Sequence, residues 1–254
     1  MRTANPALRD EVFTRSVSEG RALGITETMT IGGAVNRSFI LVLITVAVSV
    51  FSWKQYQYGV ATGNPLAYVP FFWGGLILGF IIGLVTVFKK AWSPVTAPIY
   101  AVCEGAFLGG ISAIFESQFP GIVFQAVVGT FGTLFALLAA YRSGLIKATE
   151  NFKLGVVAAT GGIAFIYILS MILGFFKINI PYIHESGTIG IIFSVFVVIV
   201  AALNLVLDFD FIENGERVGA PKYMEWYAAF GLLVTLVWLY LEILRLLAKL
   251  RSRR

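Results

Sequence analysis

One cysteine and one histidine occur in 254 residues. Cys103 therefore cannot close an internal disulfide. His184 cannot pair with a second histidine in a metal centre. Charge is scarce too, at 13% against about 25% in soluble domains, while 58% of the residues are hydrophobic. That balance excludes a disordered chain, a coiled coil and a disulfide scaffold, and it disfavours a soluble enzyme. The first 36 residues contain no apolar segment and carry Arg2, Arg9, Asp10, Glu11, Arg15, Glu19, Arg21 and Glu27. No cleavable signal peptide is expected there. No P-loop or dinucleotide fingerprint opens any helix. An intramembrane serine protease would need an intramembrane histidine, and His184 falls in an expected loop between spans. The expectation is a non-enzyme.

What is present is apolar length. A helix needs about 20 apolar residues to cross the hydrocarbon core. Seven stretches meet or approach that: residues 39–58, 70–88, 94–115, 119–141, 154–176, 186–207 and 226–247. The fold class expected is an all-α integral membrane protein with seven transmembrane helices. The organisation expected is a polar, poorly ordered N-terminal segment over residues 1–30, a transmembrane domain over 31–248 and a basic tail over 249–254. Small residues recur every four positions in the second span (Gly75, Gly79, Gly83) and the third (Ala101, Gly105, Gly109). Such stripes let helix backbones approach closely, which is a packing role.

Basic residues alternate by loop. The N-terminal segment holds Arg2, Arg9, Arg15, Arg21 and Arg37. Counting that side as cytoplasmic adds Lys89, Lys90, Arg142, Lys147, Lys153, Arg217 and Lys222. The opposite loops hold only Lys54 and Lys177. This is a positive-inside pattern for a multi-pass protein of the cell membrane with a cytoplasmic N-terminus. Arg245, Lys249, Arg251, Arg253 and Arg254 break it if the seventh segment crosses fully. A seventh segment that re-enters would keep them inside. Both arrangements are open at this level, and the basic character follows topology rather than nucleic-acid binding.

Acidic residues within spans are the functional candidates, because a mid-bilayer charge costs roughly 2.5–3.5 kcal/mol even on the mild insertion scale. Glu104 lies near the middle of the third span, with nothing local to neutralise it. It calls for a partner on another helix, a water-filled cavity or a proton. Asp208 and Asp210 are expected to close the sixth helix. They point in nearly opposite directions, and Asn204 shares the Asp208 face. Asp208 is thus the inward candidate and Asp210 a headgroup-level residue. Glu225 opens the seventh helix, where it complements the macrodipole. Glu242 lies three residues before Arg245, within reach of a local ion pair. Arg37 is a cationic partner for an inner carboxylate or a topological anchor. Carboxylates crowded in a low-dielectric bundle repel one another, so such a group holds protons and exchanges them for a hard cation. Calcium suits the oxygens that Asp, Glu, Asn204 and backbone carbonyls supply.

Several strings are similar to the Bax inhibitor/YccA (lifeguard-like) family, in its bacterial branch. They are MTIGGAVNRS before the first span, APIYAVCEGAFLGGIS in the third, LVLDFDFIE in the sixth and WLYLEILRLL in the last. The resemblance covers the chain from about residue 29. It implies a bundle with the last helix central, and a pH-dependent calcium leak in which an aspartate of helix six pairs with an acid of helix seven. Asp208 matches the first position. Glu242 matches the second by its YLE string, and Glu225 is the nearer acid by spacing. The resemblance and the bacterial relatives favour full crossing by the last segment. It also admits a second reading: a regulatory protein that binds another membrane protein, such as a protease, through its polar N-terminal segment. The expected partners are the lipid bilayer, calcium or protons, and possible membrane-protein targets. No cofactor is expected beyond a possible calcium ion.

Overall fold

The computed structural model describes residues 16–18, 27–176 and 187–253. His184, Lys177, Arg254 and most of the polar leader lie outside these residues. Seven helices among them are long and apolar enough to cross a membrane. They are α1 (Ile31–Thr62), α2 (Val69–Phe88), α3 (Ser93–Gln118), α4 (Ile122–Arg142), α5 (Glu150–Phe175), α6 (Thr188–Arg217) and α7 (Met224–Ser252). The described residues contain no strand, only an isolated bridge between Thr28 and Pro221. The most apolar windows of α3, α6 and α7 are each 44% buried, against 11–22% in the other four helices. The latter present their side chains mainly outward, as lipid-facing helices do.

The helix ends follow capping chemistry rather than hydropathy. The hydroxyl of Thr30 accepts from the Gly33 backbone N–H at 3.0 Å, so α1 starts eight residues earlier than its apolar run. Gly63 closes it with φ 65°, a left-handed conformation that suits glycine. Thr149 caps α5 in the same way, accepting from Phe152 N–H at 3.3 Å. The largest correction is in α6. Asp208 and Asp210 do not end the helix, which continues to Arg217. Asn214 donates to Asp210 Oδ2 at 2.7 Å, and Arg217 donates to Asn214 Oδ1 at 2.6 Å. These i,i+4 and i,i+3 bonds sustain helix past the apolar stretch. α7 runs unbroken for 29 residues, about 43 Å by helical rise.

Two compact units divide the chain. One comprises the described residues up to Gln118 together with Asp210–Val234; the other comprises Phe119–Phe209 and Thr235–Arg254. In the first unit the glycine stripes pack helices, as their spacing predicts. A Cβ on Gly75 would sit 2.6 Å from the Cys103 carbonyl oxygen, and one on Gly105 would sit 2.6 Å from that of Thr45. α1 adds hydroxyls at the α3 contact: Ser49 donates to Gly105 O at 3.1 Å and Ser52 to Ala106 O at 2.7 Å. Within hydrocarbon these bonds satisfy side chains that would otherwise lack partners. Cys103 is a buried free thiol in this packing.

Candidate functional site

Each unit holds its own set of intramembrane polar groups. In the first, α1 begins against the turn between α6 and α7. Met29 N–H donates to Ala220 O at 2.7 Å, and Lys222 N–H to Glu27 O at 3.0 Å. This backbone pairing delivers the α1 N-terminus to two carboxylates. Glu216 accepts from Ile31 N–H at 2.9 Å. Glu225 Oε1 accepts from Thr30 N–H at 3.1 Å and from the Thr30 hydroxyl at 3.0 Å. Glu225 thus caps α1 as well as opening α7, and helix amides left unsatisfied by geometry acquire acceptors.

Glu225 is fully buried, and two cations face it. Arg37 Nη2 lies 3.8 Å from Oε2, and Lys222 Nζ lies 3.7 Å from Oε1. The Arg37 guanidinium also sits 5.0 Å from the centre of the Trp226 ring. The room for this carboxylate comes from Gly33, where a Cβ would overlap the carboxyl group. Gly33→Ala is therefore expected to destabilise the protein by about 1–3 kcal/mol, as overpacking does. The check is the apparent melting temperature of the detergent-solubilised variant. An unchanged value would mean that Glu225 moves aside at no cost.

Glu104 is paired within its own helix. Its carboxyl hydrogen-bonds the Tyr100 side chain one turn earlier, and it faces Gly79 of α2. The Tyr100 ring packs edge-on against Phe230, 4.8 Å between centroids. A partner on another helix, a water-filled cavity or a proton is expected for Glu104; the group the structure places beside it is Tyr100 of the same helix, legible in the sequence as an i,i+4 pair.

In the second unit, polar contacts link α5, α6 and α7 in successive layers. Asp208 hydrogen-bonds the Thr235 side chain. Its other oxygen, Oδ2, is buried without a hydrogen-bond partner. Asn204, on the same face of α6, donates to the Thr160 hydroxyl of α5 and to Val200 O, both at 2.8 Å. Further along, the Tyr167 hydroxyl of α5 reaches both oxygens of Glu242 at 3.1 and 3.2 Å. Arg245 donates to Glu242 at 2.7 Å and lies over the Tyr167 ring at 5.7 Å. Last in line, Lys249 donates to the Ser194 hydroxyl at 2.9 Å and to Gly190 O at 3.1 Å.

No three His, Cys, Asp or Glu side chains among the described residues gather into a metal-binding group. Asp208 and Glu225 fall in different units, each with its own partners. Asp210 is tied to Asn214 rather than projecting alone. Thr160, Tyr167, Ser194 and Thr235 were not among the sequence candidates. The signal that could have found them is spacing: Thr160 and Tyr167 lie seven residues apart, as do Thr235, Glu242 and Lys249. Seven residues return to the same helix face.

Compared with family models, residues 5–252 match one described as Bax inhibitor 1 like. The chain belongs to the Bax inhibitor 1-like family. No curated protein and no solved structure matches it. Membership and seven apolar helices make this a multi-pass membrane protein. Within this Bax inhibitor 1-like chain, Asp208 is the one intramembrane carboxylate with a buried oxygen lacking both a hydrogen bond and a salt bridge among the described residues.

Proposed function

We propose that the protein is a pH-sensitive cation leak of the cell membrane, with calcium as its cargo, a cytoplasmic N-terminus and Asp208 as its central ion- and proton-binding group. The observation that carries this reading is the partnerless Oδ2 of Asp208. A carboxylate oxygen removed from water and given no donor is costly as a bare anion. A proton or a cation relieves that cost, and the two compete for the same atom. Conduction requires binding that is favourable enough to enter and weak enough to leave. Glu104, Glu225 and Glu242 each already accept hydrogen bonds, so they serve this reading as flanking groups.

The test is calcium entry into proteoliposomes measured across a range of pH. Wild type is expected to show pH-dependent entry. Asp208→Asn is expected to lose at least nine-tenths of it together with the pH dependence, while keeping the fold. Wild-type entry no faster than that of empty vesicles would remove the leak in favour of the regulatory reading. That reading is tested by truncation, which should stop before Glu27, because Glu27 and Met29 pair with the α6–α7 turn.

A further inference from the structure

The polar layers of the second unit have a direction. Along α7, Thr235 and Lys249 are fourteen residues apart, and so are Ser194 and Asp208 along α6. Both intervals span about 21 Å of helix, roughly two thirds of a hydrocarbon core. The same two helices are therefore joined at both ends of one seam, by Asp208 with Thr235 and by Ser194 with Lys249. Each layer offers isolated hydroxyl, amide or carboxyl groups. A proton needs one such oxygen at a time, whereas calcium takes 6–8 oxygens at once.

Charge separates the ions further. From Glu242 onward, α7 and its tail carry Arg245, Lys249, Arg251, Arg253 and Arg254 and no further acid. Two of these cations sit on the seam itself: Arg245, whose charge buried Glu242 offsets, and Lys249, which donates to the neutral Ser194 hydroxyl and Gly190 carbonyl. Repulsion scales with the charge of the ion. A potential that lowers proton occupancy about tenfold lowers divalent occupancy about a hundredfold.

We propose that Lys249 forms a divalent-cation barrier at its end of this seam, so that the seam serves Asp208 as a proton route and not as a calcium route. The inference rests on the reading of Asp208 as the ion-binding group. It makes Lys249 a selectivity determinant, and Lys249→Gln is the variant that tests it, since glutamine keeps a donor for Ser194 and Gly190.

Proton and calcium fluxes are measured in proteoliposomes for wild type, Lys249→Gln and Lys249→Arg. Lys249→Gln is expected to raise calcium flux relative to proton flux about tenfold, with Lys249→Arg restoring the wild-type ratio. An unchanged ratio in Lys249→Gln overturns the barrier. A second measurement is independent of flux. In a Cys103→Ser, Ser194→Cys protein, negatively and positively charged methanethiosulfonate reagents of similar size are compared. The anionic reagent is expected to react at least tenfold faster, and Lys249→Gln to shrink that difference. Equal rates, or no reaction with either reagent, overturn the proposal. If wild type carries neither ion, the reading of Asp208 and the proton route fall together, while the thiol rates still decide whether a positive barrier stands at Ser194.

Discussion

Glu225→Ala is expected to destabilise the folded protein by about 2–4 kcal/mol and to loosen the start of α1. Three losses combine. Thr30 N–H and the Thr30 hydroxyl lose their acceptor, at about 1 kcal/mol for each bond. A fully buried side chain leaves space that the backbone pairing at Met29 and Lys222 does not let collapse. Arg37 and Lys222 lose a shared counter-charge. That last loss is the smallest, because their side chains are 31% and 41% exposed and can turn to water or headgroups. Glu225→Gln separates the effects. It keeps an acceptor for Thr30 and the packing volume, so it should cost about 1 kcal/mol, the worth of a charge-assisted over a neutral bond. Hydrogen exchange at Thr30 and Ile31 reads the local effect, and the melting temperature in detergent reads the global one. Equal effects from Ala and Gln would mean that charge, not capping, holds α1 in place.

That clasp shows where sequence reasoning stops. The seven spans were legible because bilayer thickness sets a minimum apolar length, and only seven stretches approach it. Their ends were not. α1 starts at a threonine cap outside the apolar run, and α6 continues through Asp208, Asp210 and Glu213 because Asn214 and Arg217 bond back along the helix. Hydropathy falls at such places while helical bonding does not. Asp208 stood out because a carboxylate in an apolar helix is conspicuous. Thr160, Tyr167, Ser194 and Thr235 did not, since hydroxyls are cheap enough in a membrane helix to occur singly. Only their pairing across α5, α6 and α7 gives them meaning. The basic tail changes character as well. Arg251 donates to Pro120 O at 2.7 Å and to Gln125 at 3.0 Å. With Lys249 on Gly190 and Ser194, these two cations bond the end of α7 to the start of α6 and the approach to α4.

The ion pair of α7 provides the second large effect. Arg245→Ala is expected to destabilise by about 3 kcal/mol, because it leaves Glu242 buried as an uncompensated charge. The Arg245 side chain is itself 47% exposed, so its own desolvation contributes little, and the effect belongs to the carboxylate it abandons. Glu242→Gln alone should cost less, about 1 kcal/mol, since the amide still receives the Tyr167 hydroxyl while Arg245 reaches water. Combined, the two substitutions should destabilise less than Arg245→Ala alone, because glutamine leaves no charge behind. The coupling read from this double-mutant cycle is expected to be about 1–3 kcal/mol. Additive losses would show that the 2.7 Å contact is a surface pair of little worth. Tyr167→Phe completes the set: removing the hydroxyl takes a donor from both Glu242 oxygens but leaves Arg245 in place. Its cost should therefore fall below that of Arg245→Ala and rise when the two changes are combined, as expected if one carboxylate is held from α5 and α7 together.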